Sequence, residues 1–600
     1  MPGIVGFISN MPRAMAEQKL ARMVETIRHE PFYRVGTFID DSQGLYVGWT
    51  VIEHSFSDGM PLRDQRNCTT LIFSGEEYSG EGVPPDRNGP AQSSYLLQRC
   101  ATDGAFPLSL NGLFHGVLVD GKRESAVIFN DRYGMHRLYY HQAKDGFYFA
   151  AEAKAILAVR PELRVPCLQG IGEFLACGCV LENRTIFKDI YVLPAASAWT
   201  LRDGKAEQKQ TYFDPGEWEQ QTALNPQSYY EELRDALTES LPNYFDASEQ
   251  IGIALTGGMD TRVIMALHNP PAGSLPTYTF GGMFRECQDV RIARKVARIS
   301  GQDHKVITVG DDFLRHFPEY AERSMYLTEG CVDVYRASDL YVSQKAREIA
   351  PIKVVGTYGS EIIRRAVMFK PMAPADGTFK PEFLAHVHRA SATYSAAKAV
   401  HPVTFAAFRQ SPWYHHGILG LEQTQLTVRS PYLDNHFVKT AYRSPVLSSN
   451  NDVRLQLIRG GSKELGCIPS DRGVGGAYGP LASTINHAYL EFTFKAEYAY
   501  DYGMPQWLAR LDHAASALHL DRLFLGRHKF LHYRVWYRDV LADYVKEILL
   551  DKLTLSRPYL ERKSIEMMVN GHLHGDRNYT SAFHKLLSLE LLQRRFFDSQ

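Results

Sequence analysis

Apolar and polar residues alternate in short runs along the first third of the chain. Residues 3–8, 45–51, 70–73, 116–120, 126–129 and 147–151 each read as a strand, with turn residues between them. This predicts stacked antiparallel sheets over residues 1–205. The stretch from Arg202 to Gln210 is polar without a period, and Asp214-Pro215-Gly216 follows, so 206–225 reads as a connector. The period then changes. Tyr229, Leu233, Leu237 and Leu241 recur every four residues and predict a helix over 228–241, with Pro242 after it. A buried strand over 251–255, a glycine turn and a helix over 261–267 come next. Strand 277–280, helix 289–300, strand 305–309 and strand 352–355 continue the alternation. That order predicts a parallel sheet with helices on both faces over much of residues 226–600. From about 430 onward the chain reads as mainly helical.

A length of 600 residues implies two or three domains. A net charge of −1 removes any global pull toward nucleic acid or acidic membrane. No run approaches the roughly 18 apolar residues of a spanning helix, and no secretory signal opens the chain. Eight cysteines without a CxxC fit a reducing cytosol, so a cytoplasmic location is expected. The closest pair, Cys177 and Cys179, reads as plain buried thiols.

The sharpest local feature is Ala254-Leu-Thr-Gly-Gly-Met-Asp-Thr-Arg262. Two glycines after a buried strand let the backbone turn tightly and aim successive N–H groups at an anion. The following helix adds its positive end. Thr256 and Thr261 offer hydroxyls to phosphate oxygens, and Asp260 is placed to hold Mg²⁺. An ordinary strand-to-helix turn can carry the same residues, so the loop alone leaves both readings open.

The loop resembles the S-G-G-x-D-S pyrophosphate loop of the ATP-pyrophosphatase superfamily, with threonine in both serine slots. Thr277-Tyr-Thr-Phe-Gly281 follows where those enzymes place an adenine-binding strand. Further segments match in order: Gly3-Ile-Val-Gly-Phe7, Asn111-Gly-Leu-Phe114, Asp131-Arg-Tyr-Gly134, Phe149-Ala-Ala-Glu-Ala-Lys154, Arg184 to Ile190, Arg429-Ser-Pro-Tyr-Leu-Asp434, and the tail from Gly575 to Asp598. Together they resemble the class B asparagine synthetase family, which includes β-lactam synthetases and lasso-peptide cyclases. The resemblance implies a two-domain α/β fold. An N-terminal Ntn-hydrolase-like αββα sandwich (1–205) would be joined to a PP-loop parallel-sheet domain with a helical C-terminal part (226–600).

In the first domain the resemblance implies a glutaminase, but the residues depart from it. Pro2 stands where the family has its cysteine nucleophile, and a proline has neither thiol nor hydroxyl. The family's Asn-Gly-Glu reads Ser74-Gly75-Glu76. The arginine expected to clamp the glutamine carboxylate falls near Thr50–Val51, and an expected acid falls at Ser93 or Ser94. These losses predict a domain that no longer hydrolyses glutamine.

In the second domain Gly356-Thr-Tyr-Gly-Ser-Glu361 resembles a second loop beside the ATP phosphates. The resemblance implies ATP contacts at Leu255, Thr256, Gly257, Gly258, Asp260, Thr261, Phe280, Gly281, Gly356, Gly359 and Ser360, with Asp260 and Glu361 as Mg²⁺ ligands. Glu361 replaces the family's aspartate. Tyr358 stands where β-lactam synthetases carry a tyrosine paired with a glutamate to deprotonate an amine; its partner here is not evident, Glu382 being a weak candidate. No lysine follows Ile468-Pro469. Arg527-His-Lys-Phe530 resembles the family's lysine segment, which makes Lys529 the charge-stabilising lysine and 473–525 an insertion. Its aromatics (Tyr478, Tyr489, Phe492, Tyr498, Tyr500, Trp507) would cover the active site or a partner surface, or simply pack an extra helical hairpin.

The expected activity is an ATP- and Mg²⁺-dependent ligase that adenylates a carboxylate, releases pyrophosphate, and joins the acyl group to an amine without using glutamine. Small-molecule or peptide substrates are expected, with no nucleic acid or membrane partner, and a homodimer is compatible with the resemblance. Three alternatives stand beside this: asparagine synthetase using ammonia, a macrocyclase or β-lactam-type closure, and a non-catalytic ATP-binding scaffold.

Overall fold

In the computed structural model the described residues are 1–79, 95–375, 377–445, 452–476, 479–515 and 523–598. The first half builds two six-stranded antiparallel sheets. Neighbours in the first run Tyr191–Val192, Tyr139–Gln142, Phe147–Ala150, Gly3–Ile8, Leu45–Ile52, Tyr33–Asp40. In the second they run Lys205–Thr211, Ser197–Arg202, Ser125–Asn130, Gly112–Asp120, Thr69–Glu77, Leu62–Asp64. Alternation sorts the side chains. Ile4, Ile8, Val47 and Trp49 share one core with Phe73, Phe114, Val117 and Phe129 of the second sheet. Val5, Phe7 and Tyr46 belong instead to the core that holds Leu20, Met23 and Ile27 of helix Arg13–Ile27. Gly48 lets that helix close on the sheet, because a Cβ there would stand 2.3 Å from Val24.

One expected boundary is corrected. Residues 206–211, assigned to the connector, belong to strand Lys205–Thr211, which pairs with Ser197–Arg202 as the outer strand of the second sheet. Nearly every residue of that strand is exposed, and an edge strand open to water carries polar side chains on both faces. The helix expected over 228–241 extends over Pro226–Tyr244, with Pro242 in its last turn.

The second half holds five parallel strands in the order His304–Val309, Thr277–Gly282, Ile251–Ala254, Ile352–Val354, Thr427–Arg429. The chain departs to opposite sides of Ile251–Ala254, so the strand order reverses there. In open α/β sheets such a reversal opens a crevice at the carboxyl ends of the strands. The described residues of 473–525 include the α-helices Pro480–Tyr498 and Gln506–Ala514, with a π-helical turn Ala499–Gly503 between them. Tyr478, Ser93 and Ser94 lie outside the described residues. Among the described residues no helix is long and apolar enough to cross a membrane.

Candidate active site

The loop 255–259 crosses the crevice where the strand order reverses, and helix Asp260–His268 starts behind it. The Leu255 N–H is tied to the Tyr278 carbonyl at 2.8 Å. The Gly257 N–H donates to Asp289 Oδ1 at 2.8 Å, and the Gly258 N–H donates to Thr256 Oγ1 at 3.2 Å. A Cβ at position 257 would stand 2.6 Å from Asp289 Oδ1 and 2.8 Å from Asp471 Cβ. Glycine is required at 257 because two acidic residues wrap the loop. Burial pushes the Asp289 carboxyl up to about 7; Asp471 adds to the rise and the Gly257 N–H opposes it. Nothing in the spacing of Asp289 marked it as the loop's anchor.

The second loop lies directly on the first. A Cβ on Gly356 would come within 2.5 Å of the Thr261 nitrogen, and one on Gly359 within 2.9 Å of Asp260 Cβ. Ser360 Oγ donates to Asp260 Oδ2 at 2.6 Å. Asp260 Oδ1 accepts from Arg454 Nη1 at 2.9 Å, and the same nitrogen reaches Ser360 Oγ at 3.0 Å. Burial raises the Asp260 carboxyl, Arg454 and Ser360 pull it down, and the nearby Glu361 charge raises it further. Glu361 itself stands 3.0 Å from His415 Nε2.

The expected Mg²⁺ pair does not fit this arrangement. A divalent ion needs open carboxylate oxygens. Each oxygen of Asp260 already accepts a hydrogen bond, one from Ser360 and one from Arg454, and Glu361 Oε1 lies beside His415 instead of beside Asp260. Among the described residues no three His, Cys, Asp or Glu side chains gather as a metal set.

Tyr358 has φ of +77° and is buried, with its ring edge-on to His415 at 5.2 Å between centroids. It lines a cavity of about 30 Å³ with His415, Thr357, Ser430 and Glu422. Burial, then Glu422 and Glu361, hold its hydroxyl well above the ordinary tyrosine range. The acid that faces Tyr358 is therefore Glu422, which also pairs with Lys353 at 2.9 Å. Glu382 is exposed in the first turn of helix Pro381–Lys398.

The Lys529 segment latches onto the edge of the nucleotide strand. The Gln288 N–H donates to the Arg527 carbonyl at 2.7 Å, Phe530 packs 6.1 Å from Phe280, and a Cβ on Gly282 would meet the Phe530 carbonyl at 2.7 Å. Gly281 is buried beside Val306 and Val290. The Lys529 ammonium rests over Tyr498 and Tyr502, 3.9 and 4.5 Å from their centroids. Burial pushes it down to about 8, against the pull of Asp501 and Glu497. The aromatics of 473–525 thus divide. Tyr498 supports the lysine, Tyr500 stacks on Phe524, and Tyr489, Phe492 and Trp507 are exposed.

In the first half, Pro2, Val51, Ser74 and Glu76 line one cavity of about 60 Å³. Its described lining contains no thiol, lysine or arginine. Ser74 Oγ lies 3.2 Å from His136 Nε2, and both are buried. The Glu76 carboxylate is spoken for by Tyr78 and by Arg429 from the other half. Leu113 and Val428 are walls of this cavity and of the one beside Tyr358.

Residues 1–213 match the model of the glutamine amidotransferase domain, and residues 232–355 match that of asparagine synthase. Over these two segments the chain is similar to the asparagine synthetase family. It is 22% identical over 409 residues to "Asparagine synthetase [glutamine-hydrolyzing] 1" of Bacillus subtilis (strain 168), covering 64% of this chain and 63% of that one. It is 25% identical over 413 residues to "Putative asparagine synthetase [glutamine-hydrolyzing]" of Mycobacterium tuberculosis (strain ATCC 25618 / H37Rv), covering 61% and 60%. "Amidase chyE" of Penicillium rubens (strain ATCC 28089 / DSM 1075 / NRRL 1951 / Wisconsin 54-1255) is 25% identical over 37% of this chain and 34% of its own. The matches thus span between 34% and 63% of the length of these three relatives.

Proposed function

We propose that this chain is an ATP-dependent amide-forming ligase whose amine does not come from glutamine. One observation carries the reading. The phosphate loop and its second loop are assembled at the strand reversal, while the cavity of the first half brings together Pro2, Val51 and Ser74 and leaves its one acid engaged by Arg429. A pocket without a thiol and without a cation has neither the thiolate nucleophile expected from the resemblance nor a clamp for a substrate carboxylate.

The second half offers the parts for adenylation. Thr256, Gly257, Gly258 and Thr261 hold phosphate oxygens at a helix N-terminus. Leu255, Phe280 and Gly281 frame the nucleoside side of the crevice, and Gly356, Gly359 and Ser360 close it from the second loop. A carboxylate oxygen attacks the α-phosphorus and pyrophosphate leaves. An amine then attacks the acyl carbon, and AMP leaves. Holding acid and amine together replaces a bimolecular encounter. Lys529 neutralises charge on the departing groups once it swings from its tyrosines. Tyr358, protonated and backed by Glu422, positions the amine as a hydrogen-bond donor or passes its proton on. The likeness to enzymes named asparagine synthetase suggests aspartate as the first acid to try, with ammonium as the amine.

The test is nucleotide product analysis with a panel of carboxylic acids, each with ammonium or a primary amine. The reading requires AMP and pyrophosphate with at least one acid, and their loss in Lys529→Met. ADP and phosphate as the products, or AMP release unaffected by Lys529→Met, would refute it.

A further inference from the structure

We propose that Arg454 is the resident cation of the phosphate loop, so that the site takes a nucleotide triphosphate without a divalent ion on Asp260. This deepens the nucleotide reading above and rests on it.

Asp260 begins the loop's helix, and its negative charge would oppose an incoming phosphate at close range. Some positive charge has to neutralise it. Arg454, only 3% exposed, is already there and already fixed. Its Nε and Nη2 are gripped by Asp452 at 3.0 and 2.7 Å, and its Nη1 spans Asp260 and Ser360. Asp452 is itself pinned as the N-cap of helix Val453–Gly461, accepting from the Arg454 N–H. A guanidinium has five N–H donors, and these contacts use four of them. The remaining Nη2 donor belongs to a planar fork suited to phosphate oxygens.

The neighbouring acid points to the same arrangement. Glu361 is turned to His415 rather than to Asp260. Asp260 is thus paired with a guanidinium on the side that faces Ser360, while Glu361 Oε1 lies beside the His415 ring 3.0 Å away. An arginine cannot leave its charge behind at neutral pH, so the neutralisation is permanent and independent of divalent ions.

The experiment is equilibrium dialysis of labelled ATP against the full chain, in excess EDTA and in magnesium chloride. Wild type is expected to bind within about threefold in the two buffers, whereas Arg454→Met loses about tenfold or more in EDTA and recovers part of it with magnesium, because Asp260 is then free to take the ion. Manganese EPR without nucleotide gives a second readout: wild type leaves the free-ion signal unchanged, and Arg454→Met reduces it. Removing a buried arginine from two carboxylates can unfold a protein. The wild-type comparison alone therefore decides. Wild-type binding that requires magnesium overturns the role of Arg454 and leaves the nucleotide reading standing. No ATP binding in either buffer overturns the nucleotide reading, and this inference with it.

Discussion

Arg429 grips Glu76 across the two halves of the molecule with a buried two-pronged pair, Nε to Oε2 at 2.9 Å and Nη2 to Oε1 at 2.7 Å. The same guanidinium donates to the carbonyls of Tyr244 and Asp246. Asp434, five residues on, accepts from Asn111 Nδ2 at 2.7 Å. The segment from Arg429 to Asp434 therefore fastens the synthetase-like half to the glutaminase-like half. Glu76, which lines the cavity of the first half, is thereby part of the seam between the halves.

Breaking the pair from one side leaves the other charge buried and alone. Arg429→Met and Glu76→Gln should each destabilise the protein by about 3–5 kcal/mol, and the double variant should lose less than the sum. Urea denaturation of the four proteins measures this. Additive losses would show that the pair does not couple the halves.

Lys529 carries a pH signature. Its ammonium sits at about 8 because burial lowers it from 10.5. Only the charged form neutralises phosphate, so AMP release should fall as pH rises through about 8. The stability contribution has the opposite sign. Between 8 and 10.5 the unfolded chain holds more protons at this residue, so the cost of burying it shrinks as pH climbs. Lys529→Met should lower AMP release by about a hundredfold and leave ATP binding within about threefold. A pH profile flat from 7 to 9 in the wild type would remove Lys529 from the chemistry.

Asp289 titrates the other way. Its folded value of about 7 lies above the ordinary 3.8, so between those limits the folded protein holds the extra proton. The stability it supports is full below 3.8 and is lost as pH rises through 7. Asp289→Asn keeps an acceptor for the Gly257 N–H. It should be more stable than wild type at pH 8, with the gap closing toward pH 4. Denaturation midpoints at several pH values check this, and a gap that widens on acidification would contradict it.

The strands of the parallel sheet and the glycine turn after Ile251–Ala254 were legible because their signals are local. A buried apolar strand followed by Thr256-Gly-Gly258 announces itself within ten residues, and the glycines at 356 and 359 follow from the second strand. What escaped depends on partners far away in sequence. Arg454 reaches Asp260 across 194 residues, and Glu422 meets Tyr358 only through the fold. Edge strands escaped for a different reason. Lys205–Thr211 is largely open to water and Tyr33–Asp40 fully buries only Tyr33, so the contrast between their faces is weak. Thr427–Arg429 is three residues long and leaves no period at all.

Restoring a thiol should not restore glutaminase activity. In Pro2→Cys the cavity would still have Val51 and Ser74 in place of a carboxylate clamp and an amide donor, and Glu76 would still be held by Arg429. Glutamate release from glutamine should stay at the level of the buffer. Release at a rate comparable to AMP formation would show that only the nucleophile had been lost.

Under the proposed function, the chain forms amides through an acyl-adenylate without drawing nitrogen from glutamine. The most direct measurement follows AMP and glutamate together in one reaction, with ATP, a turnover-competent carboxylate, and either ammonium or glutamine as the only nitrogen source. AMP is expected with ammonium, and neither product above background with glutamine. Glutamate rising in step with AMP when glutamine is supplied would contradict it.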